Sequence, residues 1–310
     1  MVSMDIMLVF QQMLVMLLLL ICGVIAAKTN VMDEDTTRRF TRFTLVFPQT
    51  CMILGSVINT DLGISPGRVF AVLGVGCLMY VILIGLSFLV PVVYRCKPGD
   101  RGIYSFMTIF GNVGFMGIPV AGAIFGDAGT FYAALLNIPF NLLAYTFGIS
   151  LLNSTGGPVK IKWRLLLNPP LIASGLAIVL ICLNIRFPYP VERAVTLLGD
   201  MVTPSSMIII GASLGTQKLK DVFGDWHTYA FAPVRLIVCP VLIYFVMRLF
   251  VHDSVILGVM TLLASMPVAT FATMLSIEYG GNEKMASRTV FVTTVLSVLT
   301  IPLVFAILPL

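Results

Sequence analysis

The residues best placed to do chemistry are Gly111-Asn112-Val113-Gly114-Phe115-Met116-Gly117-Ile118-Pro119. Three glycines and a proline within nine residues withdraw helix propensity, and Pro119 also removes a backbone donor and clashes with the preceding turn. Yet the stretch lies in an uncharged run, 102–126, long enough to cross a bilayer. Backbone freed from helical bonding is tolerated at that depth only against protein or a water-filled cavity. Asn112 can donate and accept without bringing charge into the membrane, which suits a carboxylate or a carbonyl. Gly111, Gly114 and Gly117 would let a solute approach the backbone, or they are contacts between closely packed helices.

A second break of the same kind is Ala264-Ser265-Met266-Pro267-Val268-Ala269, which repeats the Pro-Val-Ala of Pro119-Val120-Ala121. Half-helices starting near Pro119 and Pro267 would turn their partial positive ends toward an anion. Ser265 is either a second polar contact for that anion or a hydroxyl bonded back to its own helix. Asn137 and Asn141 share a helix face at i, i+4 spacing; Asn137 is the first choice for lining the same cavity, the alternative being a tie between helices. Two charges fall inside apolar spans, where ionisable groups are functional by default. Asp200, ahead of Pro204, would couple movement to a proton or cation, or else pair at the outer surface. Arg235 would snorkel to the cytoplasmic interface, or draw an anion into an inward vestibule. Pro48 marks an earlier break, and Pro48 to Gly55 repeats the spacing of Pro204 to Gly211.

The elements that must position these residues are membrane helices. The chain is 58% apolar and 11% charged, against about a quarter charged in a soluble domain. Ten spans are expected, at 5–27, 40–59, 68–94, 102–126, 128–152, 168–185, 191–215, 228–250, 254–279 and 286–310. The first is no cleavable signal, since no basic residue precedes it and its apolar core is too long. Residues 1–152 form one repeat, 153–167 a cytoplasmic linker and 168–310 a second repeat. Five spans per repeat force the second copy to be inverted, the arrangement of secondary transporters whose site lies between interrupted helices. Loops after odd-numbered spans hold fourteen of the nineteen Lys and Arg residues, which places both termini outside.

Other classes fit less well. The net charge of +5 is explained by orientation in the membrane, so no nucleic-acid partner is expected. Six scattered cysteines and two histidines give no metal or disulfide pattern, and no cofactor is expected. An intramembrane enzyme would need a nucleophile, a base or a metal set, and no such motif is present. A channel is less suited than alternating access to paired, uncharged breaks. A sodium-coupled symporter would require more oxygen ligands around the breaks than the glycine-rich sequence offers.

The chain resembles the auxin efflux carrier family, which includes plant auxin exporters and bacterial malate and malonate permeases. The likeness runs over Gly111 to Pro119, Asn168-Pro169-Pro170, Thr203-Pro204 with Gly211-Ala212-Ser213-Leu214-Gly215, and the block from Ser265-Met266-Pro267 through Tyr279-Gly280 and Thr293-Thr294 to Ile301-Pro302. The resemblance implies an all-α, ten-helix fold of two inverted five-helix repeats, similar to bile-acid symporters and sodium/proton antiporters, with helices four and nine broken and crossed. It also implies a carrier of small organic anions, auxin-like or dicarboxylate, in the plasma membrane, working as a homodimer.

Overall fold

The computed structural model describes residues 6–58, 65–152, 169–183, 185, 187–216, 226–270, 272–273, 275–276 and 281–309. The expected 153–167 linker, Asn168 and Tyr279-Gly280 lie outside the described residues. The α-helices among the described residues include α1 Ile6–Lys28, α2 Glu34–Val46, α3 Pro48–Gly55, α4 Pro66–Val93, α5 Arg101–Ile109, α6 Ile118–Leu143, α7 Ile149–Leu152, α8 Pro169–Leu183, α9 Tyr189–Asp200, α10 Val202–Gly215, α11 Trp226–Pro233, α12 Cys239–Met247, α13 Ser254–Ser265 and α14 Glu283–Ile307. Wide π turns, Val113–Gly117, Ala144–Gly148 and Val234–Val238, join several of them.

Among the described residues, six stretches are long and apolar enough to cross a membrane: Phe10–Lys28, Gly67–Val93, Val113–Leu152, Tyr189–Gly215, Thr228–Met247 and Lys284–Ile307. The protein is therefore a polytopic membrane protein. Within the third stretch the chain turns at Gly126, whose φ of 67° is one that glycine adopts without strain. Polar caps fix where helices begin. Asp33 accepts from the Thr36 N–H at 2.7 Å and starts α2; hydrogen bonding from the Thr36 side chain, and then from its main chain, holds the Asp33 carboxyl below the usual carboxylate range. Ser65 and Pro66 start α4, Asp253 starts α13 and Asn282 starts α14.

The helices form two packed groups that meet where α1 lies against α14. In one, α1 lies along α10, while α3 packs on α8 and α9. A methyl at Gly23 would stand 2.9 Å from the Ala212 nitrogen, and one at Gly211 would stand 3.0 Å from the Gly23 Cα. Small residues at such a crossing let two backbones touch, the usual source of helix association in lipid. In the other group, α4 packs on α5 and α6, α13 on α6 and α12, and α11 on α14. Three side-chain links tie the helix ends together. Arg68 at the start of α4 pairs with Asp253 at the start of α13. At the opposite end of α4, the Tyr94 hydroxyl donates to the Ala230 carbonyl at 2.7 Å, and Asn282 Nδ2 donates to Asp100 Oδ1 at 2.8 Å.

Two expected spans divide near their prolines. Residues 40–59 divide at Phe47 into α2 and α3, because Pro48 cannot supply the helical N–H. The 191–215 span divides at Met201 into α9 and α10, leaving Pro204 in the first turn of α10, where a missing donor costs little.

Candidate functional site at the crossed breaks

The two unwound segments meet. α5 ends at Ile109 with Phe110 extended, and α13 ends at Ser265 with Met266 extended. Between them runs a short antiparallel pairing of Gly111 with Val268. The Asn112 N–H donates to the Pro267 carbonyl at 2.7 Å, and the Ala269 N–H donates to the Phe110 carbonyl at 3.1 Å. Each break thus satisfies backbone groups that the other leaves open, as a segment at membrane depth must. The Val268 N–H adds a third bond, to Thr293 Oγ1 on α14 at 3.1 Å.

Arg235 closes the arrangement. It sits in the π turn Val234–Val238 and is 1% exposed. Its Nε donates to the Met266 carbonyl at 3.1 Å and its NH1 to the Thr108 carbonyl at 2.8 Å. The guanidinium therefore bridges the C-terminal ends of both broken helices. It does not snorkel to the interface: two carbonyls that had lost their helical donors hold it at the crossing instead. Gly111 has no side chain where the guanidinium lies, since a methyl there would overlap NH2 and stand 3.1 Å from Cζ.

The Asn112 carbonyl accepts from the Met116 and Gly117 N–H groups at 3.2 and 3.0 Å, opening the turn that leads into α6. Its side-chain Nδ2 is buried without a partner. Two more amides present unpartnered acceptors: Gln49 Oε1 and Asn137 Oδ1. Gln49 Nε2 donates to the Gly114 carbonyl at 2.8 Å, joining α3 of the first helix group to the crossing. Buried polar atoms are normally satisfied, so three amides left with spare capacity mark places where a polar ligand can bond. Phe110 packs on Phe106 and Phe140 with centroids 4.7 and 5.6 Å apart, and Tyr80 packs on Phe140 at 6.2 Å.

The expected site residues divide accordingly. The structure brings Gly111, Asn112, Gly114, Pro267 and Arg235 to one place, with Gly117 packed against Leu263 and Met266 of the second break. Pro119 lies buried in the first turn of α6. The Ser265 hydroxyl donates to the Thr261 carbonyl at 2.8 Å, back along its own helix. Asn137 faces inward, and its main-chain carbonyl accepts from Asn141 Nδ2 at 2.8 Å. Asp200 is exposed at the end of α9, and Pro48 and Pro204 shape their helices. Gln49 and Thr108 are not among the residues the sequence points to, and Thr293 enters there only through the family likeness. Gln49 alone carried a signal, a long amide beside Pro48 in an apolar span. Among the described residues no cluster of three or more His, Cys, Asp or Glu comes together.

Comparison with known proteins fits this architecture. A profile of a family described as "Membrane transport protein" matches in two segments, residues 8–163 and 158–305. A Rhizobium meliloti protein described as a "Putative malonate transporter" is 26% identical over 216 residues, 67% of each chain. An uncharacterized transporter of Methanothermobacter thermautotrophicus is 27% identical over 302 residues, 94% of this chain and 96% of its own. Another, from Methanocaldococcus jannaschii, is 24% identical over 300 residues with the same coverage.

Proposed function

The chain belongs to this membrane transport protein family, the auxin efflux carriers, and from that premise we propose that it is a secondary carrier for a small organic anion, a carboxylate of the malonate or auxin type. A membrane transporter is not an enzyme, and the work lies in binding and movement. The observation that carries the reading is the buried, unpartnered Nδ2 of Asn112 on a backbone crossing that already satisfies itself. In this reading Nδ2 donates to one carboxylate oxygen. The turn entering α6 adds the partial positive charge of a helix N-terminus.

The same reading takes the fold as ten spans in two inverted five-helix repeats, divided at 153–167, with both termini outside the plasma membrane and a homodimer as the working form. The equal Pro48–Gly55 and Pro204–Gly211 spacings and the meeting of the two breaks support it. The group holding the crossing then moves past the group built on α1 and α10, exposing the anion to each side in turn.

The test is uptake of labelled carboxylates, malonate first, into proteoliposomes containing the purified protein. Saturable uptake that unlabelled substrate inhibits is the expected result. A folded protein that moves none of the carboxylates would overturn the assignment.

A further inference from the structure

The crossing already holds a cation. The C-terminal end of a helix carries roughly half a negative charge, and both α5 and α13 end here, with Thr108 and Met266 presenting carbonyls to one point. Together the two ends amount to about one negative charge. In broken-helix carriers, unwound carbonyls and half-helix C-termini of this kind are the ligands of the coupling sodium ion or proton. In this chain the same two carbonyls are taken by the Arg235 guanidinium, a group that stays protonated at any working pH. No ion pair joins Arg235 to a carboxylate among the described residues, so its charge is balanced by the helix ends and not by an acid.

We infer that Arg235 is a tethered cation standing where a coupling ion would otherwise bind, so that the crossing needs no sodium and offers none a place. A free ion would have to displace a guanidinium that is covalently attached, 1% exposed and bonded to both carbonyls. Gly111 supports the same assignment, because only a residue without a side chain leaves the guanidinium its seat. The inference deepens the carrier reading by fixing its ion dependence. With Arg235 shortened, the two converging carbonyls are left as a latent site for a small cation.

The experiment follows thermal unfolding of the detergent-purified protein in sodium, potassium or choline chloride at equal ionic strength, with and without millimolar ethylguanidinium. Wild type should unfold at the same temperature in all of them. Arg235→Ala should unfold lower and recover by a saturable shift of several degrees with ethylguanidinium or sodium, but not choline. Arg235→Lys, which keeps a tethered charge, should ignore sodium. Saturable stabilisation of wild type or of Arg235→Lys by sodium over choline would overturn the inference. So would an Arg235→Ala protein that no cation restores. Should Arg235→Ala fail to fold, wild type and Arg235→Lys still decide. None of these readouts needs a substrate, so absent flux would strike the carrier reading alone, and a sodium response this one alone.

Discussion

Asn112 meets Pro267 through its main chain only: its N–H donates to the Pro267 carbonyl at 2.7 Å, while its side-chain Nδ2 bonds nothing. On the proposed carrier function, holding the crossing together and holding a ligand are therefore separate tasks of one residue. Asn112→Ala should leave the crossing intact and its unfolding temperature close to wild type. Loss of a hydrogen bond to a charged ligand costs about 1.5–3 kcal/mol, so carboxylate uptake at subsaturating concentration should fall about 10- to 150-fold. Unchanged uptake by the variant would move the binding site elsewhere.

Gly111 and Arg235 make a second test of the crossing, independent of any ligand. A methyl at Gly111 would overlap the guanidinium and stand 3.2 Å from the Met266 carbonyl oxygen. To make room, Arg235 must give up a carbonyl or the two breaks must part. Overpacking of this kind costs about 1–3 kcal/mol, with a comparable cost for a carbonyl left bare. Gly111→Ala should lower the unfolding temperature and the uptake together. The control is Gly85→Ala in α4, where a methyl meets nothing within 4 Å. There, alanine's better helix propensity should leave the protein as stable or more so.

What could be read in the chain, and what could not, follows from which atoms carry the structure. The breaks at 111–119 and 264–269 were legible because glycine and proline act locally on the backbone. That the breaks bond each other was not, since the donors and acceptors are main-chain groups of Phe110, Asn112, Pro267 and Ala269, which look alike in every residue. Arg235 was visible as a charge in an apolar span. Its partners, the carbonyls of Thr108 and Met266, are 127 and 31 residues away and carry no side-chain signature, which is why an interfacial position had to be weighed. Ser265 and its bond to Thr261 are the opposite case, a local contact that i, i+4 geometry makes foreseeable.

Gln49 belongs to α3, in the group with α1 and α10, yet its amide donates to Gly114 at the crossing. If the two groups move past each other, this bond exists in one arrangement and not in the other. Gln49→Leu removes the donor and leaves a carbonyl with one bond fewer, worth about 1–3 kcal/mol against the present arrangement. That shifts the balance between arrangements by roughly 5- to 150-fold. Single-molecule distance measurements between labels on α3 and α13 should show the population leaving this state. A distribution identical to wild type would mean that the contact moves as one unit.

On the proposed carrier function, the contact between α1 and α10 belongs to the part that stays in place. Gly211 of α10 faces Leu20 and Gly23 of α1, and Gly215 faces Ala27 with a methyl position 2.9 Å from its Cβ. In lipid, burying apolar surface gives two helices little reason to associate, so close backbone packing has to supply it. Gly211→Leu would insert four carbons where not even one fits, forcing α1 away from α10 along the whole crossing. The expected outcome differs from that of Asn112→Ala in kind: a lower unfolding temperature and a broadened size-exclusion profile, with flux lost only to the extent that folded protein is lost. If Gly211→Leu eluted and melted like wild type, the α1–α10 contact would be too yielding to serve as the fixed frame against which the crossing moves.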